Sequence, residues 1–235
     1  MKNICLLLMS VLTLVSCRKE EQEKPKVSYD TPIKSSEKPV ADTSKIAIAD
    51  LPIQLAGTNV LIFPVGNVTA VKKSGYSRGE ASPSYTVSNY GEYEITGYLS
   101  NLKFKEINKD TIYSLTDKPI VIQRATFLKE FADKTKQNLM LYVLSDLDTN
   151  KDSKLDDNDI KSLYISTVDG KNFKKLSPEF GELIDWVFIP STSSIYFRIV
   201  EDSDKNGEFE PGDKIRYFTV NLLEKELKAE EYFPV

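Results

Sequence analysis

Residues 139–166 of the chain read LMLYVLSDLDTNKDSKLDDNDIKSLYIS and contain the clearest fold signal in the sequence. Aliphatic and aromatic residues cluster in Leu139–Leu144 and again in Ser162–Ser166, as is typical of strands, and an acidic stretch joins them. Residues 193–220, SSIYFRIVEDSDKNGEFEPGDKIRYFTV, repeat the arrangement 54 residues further along. Each unit therefore predicts a strand, an acidic loop, a second strand, a polar turn and a short strand.

Similar apolar clusters occur in the rest of the chain and predict an all-β domain over residues 46–235. Turn residues such as Val168–Asn172 separate the predicted strands. Phe127–Lys136 is the one stretch that favours a short helix, with the continuation of a strand as the alternative. The further predicted strands are Val60–Phe63, Tyr93–Leu99, Leu102–Ile107, Ile120–Arg124, Ile184–Ile189, Ile195–Val200 and Ile215–Leu222.

The residues that could bind a metal ion lie in two acidic loops. Loop one is Asp148–Asp159 and loop two is Asp202–Asp213; numbered from the first Asp, both place side-chain oxygens at positions 1, 3, 5, 9 and 12. With a backbone carbonyl from position 7, this spacing can wrap a hard cation in oxygen ligands. The expected ligands are Asp148, Asn150, Asp152, the Lys154 carbonyl, Asp156 and Asp159 in loop one, and Asp202, Asp204, Asn206, the Glu208 carbonyl, Glu210 and Asp213 in loop two.

We expect two calcium sites, with loop two the better formed. Gly207 occupies position 6 of loop two, where the turn requires a positive φ, whereas Ser153 occupies that position in loop one. Strands rather than helices flank both loops, so the ion is expected to be structural. The alternative is that Asp, Asn and Gly simply form good hairpin turns.

The N-terminus predicts an exported lipoprotein. Residues 1–16 combine a basic start with the short apolar run Ile4–Val15, as in a signal peptide. Leu14–Cys17 resembles a bacterial lipobox, which makes Cys17 the expected lipidation site; an ordinary secretory signal is the alternative. Residues 17–45 are rich in Lys, Glu, Pro and Ser and predict a disordered tether that holds the domain away from the membrane.

Composition excludes several kinds of function. The chain has no His, and its two Cys are Cys5 in the signal and Cys17, so His-based triads, His-based zinc sites and thiolate catalysis are excluded. A formal charge of −4 provides no basic surface for nucleic acid. Tyr85, Tyr90, Tyr93 and Tyr98 could bind a glycan or a protein, but strand packing is the favoured interpretation.

Residues 162–178, SLYISTVDGKNFKKLSP, resemble the second half of a TolB-type propeller repeat, and residues 185–190, DWVFIP, resemble the opening strand of the next blade. With the acidic loops, the chain also resembles flavobacterial (Bacteroidota) lipoproteins. The resemblance implies propeller-like antiparallel blades, with Trp186 in a blade core. Because residues 46–235 are too few for a closed ring of six or seven blades, we expect a small or incomplete propeller, with two packed sheets as the alternative. The resemblance also implies an outer-membrane lipid anchor, on the periplasmic face or the cell surface.

Two functions therefore remain. The first is a calcium-stabilised, non-catalytic binding or assembly module of the cell envelope, with an unidentified protein or glycan partner. The alternative is an envelope carbohydrate-active hydrolase, which would need two acids across a cleft.

Overall fold

The computed structural model describes residues 24–29, 45–69 and 85–235. The predicted signal peptide and Cys17 lie outside these residues, as does most of the predicted tether. Within them the protein is all-β, with antiparallel strands and one short helix, as the sequence predicts. The strands are β1 (Lys45–Ala49), β2 (Ile53–Gln54), β3 (Val60–Thr69), β4 (Ser88–Tyr90), β5 (Glu94–Glu106), β6 (Tyr113–Ser114), β7 (Val121–Phe127), β8 (Leu139–Ser145), β9 (Ser162–Thr167), β10 (Lys174–Lys175), β11 (Gly181–Ile189), β12 (Ser194–Glu201), β13 (Lys214–Asn221) and β14 (Glu230–Tyr232), and the helix α1 is Lys129–Thr135.

The strands form two sheets. A ten-stranded sheet follows the order β1-β3-β5-β7-β8-β9-β10, with β2 on β3 and with β4 and β6 on β5. A second sheet of four strands follows the order β11-β12-β13-β14. The described strands do not close into a barrel or a propeller ring.

The predicted repeat is present, but its two units are joined to the fold differently. Strands β8, β9 and β10 correspond to β12, β13 and β14, and each set is an antiparallel meander. The second unit is a separate sheet. The first continues through β7 into β5, so its strands belong to the larger, ten-stranded sheet.

Strand β8 is buried on both faces. On one face, Met140, Tyr142 and Leu144 belong to an apolar core that is formed mainly by residues of the ten-stranded sheet. Leu139 and Leu141 face a second core, formed with α1 and the four-stranded sheet. Because successive strand residues point to opposite faces, this one strand belongs to both cores.

The second core holds the two repeat units together. Phe131 of α1 is fully buried there, and Phe197 stacks on Phe218 with ring centroids 5.2 Å apart. Burial of each such side chain contributes about 1.5–3 kcal/mol. Trp186, predicted to be a core residue, packs at the edge of this cluster and is partly buried. Both repeat units therefore pack on one shared core, and the β8–β9 and β12–β13 hairpins with their acidic loops are attached to it.

Among the described residues, no helix has the length and apolar character needed to cross a membrane.

Candidate metal centre

Both acidic loops close antiparallel hairpins, as predicted. Loop one connects β8 to β9 beyond the Leu144–Ser162 pair, and loop two connects β12 to β13 beyond the Glu201–Lys214 pair. The strands fix where each loop begins and ends, so the conformation between those ends determines whether it can hold an ion.

In loop two, three side chains fold back onto the amides of the turn. Asp202 accepts hydrogen bonds from the amides of Gly207 at 2.8 Å and Asn206 at 3.2 Å. Asp204 accepts from the Asn206 amide at 3.1 Å, and the Asn206 side chain accepts from the Glu208 amide at 2.8 Å. The oxygens of positions 1, 3 and 5 are thereby turned towards the inside of the loop.

The last residue of loop two closes it. Asp213 accepts hydrogen bonds from the Ser203 amide and from the Glu210 amide, each at 2.9 Å. The Glu210 side chain is also held in place, because the Asn206 amide group donates to it at 3.0 Å. One carboxylate therefore ties the start of the loop to its end.

Asp202, Asp204 and Asp213 form a group that could hold a metal ion. Each offers a carboxylate oxygen, and these oxygens lie within 4.8 Å of one another. Asp202 is buried, Asp213 is half-buried and Asp204 is exposed. Three anionic oxygens in so small a space repel one another, and a cation relieves that repulsion.

Hydrogen bonds tune the charge on Asp202. Burial raises its pKa, but the Gly207 amide and the Tyr29 hydroxyl both donate to its carboxylate and outweigh that effect, so the pKa lies below its usual range. The group is thus held in its anionic, metal-binding form.

Loop one repeats the same hydrogen bonds. Asp148 accepts from the amide at position 6, at 2.9 Å. Asn150 and Asp152 accept from the amides at positions 5 and 7, at 2.9 and 2.8 Å. Asp159 accepts from the Thr149 amide at 2.7 Å and from the Asp156 amide at 3.0 Å, as Asp213 does from its own counterparts.

The backbone also repeats. Positions 4 and 6 have positive φ in both loops, with 61° at Lys151 and 68° at Ser153, against 59° at Lys205 and 88° at Gly207. Left-handed backbone at non-glycine residues is uncommon, and it recurs here at the same two positions. The repeat therefore extends from the sequence to the conformation of each loop.

The loops differ in their carboxylates. Among the described residues, the group in loop two is the one set of three acidic side chains close enough to share an ion; loop one has Asn150 where loop two has Asp204. Asp159 is fully buried, and that burial raises its pKa against the opposing effect of its amide hydrogen bonds. Of the twelve predicted ligands, the structure thus gathers three carboxylates in loop two, with Asn206 and Glu210 beside them.

Two nearby acids, Asp146 and Asp157, do not take part in the hydrogen bonds that the two loops share. Asp146 pairs with Lys175 at 3.1 Å and accepts from the Tyr164 hydroxyl at 2.8 Å. Asp157 accepts from the Tyr98 hydroxyl at 3.3 Å.

A segment that the sequence pattern does not identify lies against both loops. We call residues Lys24–Tyr29 the strap. Its Val27 amide donates to the Gly207 carbonyl at 2.9 Å, and its Ser28 amide donates to the Thr149 carbonyl at 2.8 Å. The predicted free tether therefore does not extend over these residues. The available signal was the Val27-Ser28-Tyr29 triplet, which is strand-like within a polar stretch.

The tyrosine prediction was wrong for three of the four residues. Tyr93 packs on Phe127 with ring centroids 6.4 Å apart. Tyr85, Tyr90 and Tyr98 instead have exposed side chains; Tyr90 ends β4 and Tyr98 lies in β5, while Tyr85 precedes β4.

A cavity of about 460 Å³ lies beside α1, and the acid that lines it is Asp133. Lys129 pairs with that carboxylate. Among the described residues, Asp133 is the one acid that lines the cavity, whereas glycoside hydrolysis requires two.

Comparison with known proteins finds no matching protein family, no similar curated protein and no similar solved structure.

Proposed function

We propose that this protein is a calcium-binding lipoprotein of the bacterial cell envelope, in which calcium stabilises a non-catalytic binding or assembly module. The observation that carries the proposal is the repetition of one hydrogen-bond frame in two loops 54 residues apart, with Asp202, Asp204 and Asp213 converging in one of them. Ordinary hairpin turns do not need side-chain oxygens at the same five positions of the sequence.

Calcium fits the donor set better than other common ions. Both loops offer carboxylate, amide and carbonyl oxygens, and neither contains His or Cys. Such flexible, oxygen-only loops suit a large ion with six to eight ligands, whereas magnesium prefers a tighter octahedron with several waters. Outside the cytoplasm, even sites with dissociation constants of about 10⁻⁴ to 10⁻³ M are useful.

A structural role follows from the flanking elements. Sensor-type calcium proteins open a pair of helices when the ion binds. Here both loops join antiparallel strands that are already paired up to the loop, so the ion would fix two hairpin ends. We further propose that the two meanders are propeller-type blades, a reading supported by their shared order of strand, acidic loop, strand, turn and short strand.

The location rests on the N-terminal sequence. Cys17 would carry the lipid that anchors the domain to the outer membrane, on its periplasmic face or at the cell surface. The partner would be a protein or a glycan of the envelope.

Calorimetric titration of calcium into the chain from residue 17 onward, with Cys17→Ser to prevent lipidation, tests the proposal. Two ions should bind to the parent protein and one to each of Asp204→Ala and Asp152→Ala. Asp110→Ala, which removes an exposed acid outside both loops, should still bind two. Binding that is absent, or equally weak in all four proteins, would overturn the proposal.

A further inference from the structure

The strap runs between the two loops and bonds to them alternately. The Lys26 amide donates to the Asn158 carbonyl of loop one at 3.3 Å, and the Val27 amide to the Gly207 carbonyl of loop two at 2.9 Å. The Ser28 amide then returns to loop one, at the Thr149 carbonyl. Three consecutive residues thus contact loop one, loop two and loop one again, which places the loops within a few ångströms of a shared segment.

Side chains reinforce this docking. Val27 is 5% exposed although the surrounding residues are polar. The Lys26 ammonium lies 3.1 Å from the Glu208 carboxylate, and the Tyr29 hydroxyl donates to Asp202, a predicted ligand. The Tyr29 ring lies 6.2 Å from the ring of Phe180.

Loop two is shaped to receive the strap. A Cβ atom at Gly207 would lie 2.4 Å from the Val27 carbonyl oxygen, closer than any real Cβ contact. The residue that gives loop two its turn at position 6 therefore also makes room for the strap. The metal loop and the strap contact share this one residue.

We infer that the strap couples the two loops, so that an ion in either loop favours strap docking and thereby strengthens ion binding in the other. This inference rests on the proposed calcium binding. An ion fixes the loop backbone, including the carbonyls that the strap amides use, and so removes part of the entropy that docking would otherwise lose. By linkage, a docked strap strengthens the binding of the ion by the same free energy.

Charge acts in the same direction. The acids within each loop repel one another when no cation is present, which works against the ordered loop backbone that the strap amides bond to. Lys26 offsets part of that charge at Glu208, and bound ions would offset more. Coupling between sites is commonly five-fold or more in affinity, and we expect about that here.

The coupling would control how far the domain reaches from the membrane. Lys24 lies seven positions after Cys17 in the sequence, and Lys45 lies 28 positions after it. At no more than about 3.6 Å per residue, a docked strap limits the distance from a lipid at Cys17 to about 25 Å. Without docking, the limit measured to Lys45 is about 100 Å.

Hydrogen exchange of the strap amides in single-loop variants tests the coupling. Asp152→Ala should leave an ion only in loop two, and Asp204→Ala only in loop one; neither side chain contacts the strap among the contacts described above. In the Asp152→Ala protein, calcium should slow exchange of the Ser28 amide, whose acceptor is in the empty loop. In the Asp204→Ala protein, calcium should slow exchange of the Val27 amide in the same way.

A second variant measures the reverse direction. Val27→Ser should lower calcium affinity at both loops by about five-fold, while Val187→Ser, at an exposed valine on another strand, should leave both affinities unchanged. If calcium binds but protects only the amide bonded to the loaded loop, or if Val27→Ser leaves affinity unchanged, the coupling is overturned and the calcium proposal stands. If calorimetry detects no calcium binding, both are overturned.

Discussion

Loop one and loop two fold alike but are held in different ways. Both use the same hydrogen bonds and the same two positive-φ positions. Loop one closes on Asp159, which is fully buried, whereas loop two closes on the half-buried Asp213 and gathers three carboxylates. Packing buries the closing carboxylate of loop one, while loop two brings together three carboxylates whose repulsion a cation could relieve. A shared loop conformation therefore does not imply an equal need for the ion.

The largest difference should appear when the closing carboxylate is removed without calcium. Asp159→Ala leaves the Thr149 and Asp156 amides without their acceptor in a buried position, which should lower the free energy of unfolding by about 3 kcal/mol. Asp213→Ala should cost much less, because water can reach its site. Urea unfolding of both variants in EDTA measures the two losses, and equal losses would remove the distinction between the loops.

Ligand charge should set the relative affinities. Asn150→Asp gives loop one the carboxylate that loop two has at position 3, and should raise its calcium affinity about ten-fold, or about 1.4 kcal/mol. Asp204→Asn should lower the affinity of loop two by a similar factor. Calorimetric titration of the two variants would contradict this account if the affinities did not move in opposite directions.

The smallest difference concerns the backbone at position 6. Ser153 has a φ of 68°, so Ser153→Gly should relieve strain and stabilise the protein by about 0.5 kcal/mol after the greater freedom of unfolded glycine is subtracted. Gly57→Ala provides the matched control, because Gly57 has a φ of 83° with open space around the added methyl group. That variant should lose about 1 kcal/mol. Thermal unfolding in EDTA measures both, and a destabilised Ser153→Gly protein would show that Ser153 is not strained.

Local sequence patterns were sufficient for most of the elements. Clusters of β-branched and aromatic residues located β8, β9, β11, β12 and β13, and Phe127–Lys136 contains the helix α1. The Asp169-Gly170 turn is also present, with the Gly170 amide bonded to the Thr167 carbonyl. These features depend on neighbours in the chain, which the sequence displays directly.

Features that depend on distant partners were not predicted. Tyr93–Leu99 and Leu102–Ile107 suggested two strands, but β5 runs through both, with the Asn101 side chain accepting from the Leu115 amide at 3.2 Å. The joining of the first repeat unit to β5 through β7 likewise depends on long-range pairing. Val27 is buried, and its amide bonds to the Gly207 carbonyl, 180 residues away in the sequence.

In the candidate site, too, the features set by neighbouring residues were predictable and those set by distant partners were not. The spacing of oxygens along each loop is a local property, and it identified Asp202, Asp204 and Asp213 together. The burial of Asp159 and the strap contacts arise from tertiary packing, so the sequence pattern alone could not reveal them.

We propose that calcium stabilises this fold through the acidic loops, and thermal unfolding in EDTA and then in calcium at a hundred times the dissociation constant measured by calorimetry tests it most directly. At a hundred-fold excess over the dissociation constant, one site adds about 2.7 kcal/mol, which for a domain of this size raises Tm by about 5–10 °C. The parent chain should show at least that rise, Asp204→Ala should show a smaller one, and magnesium should replace calcium poorly. An unchanged Tm in calcium, or the same rise in Asp204→Ala, would contradict the account.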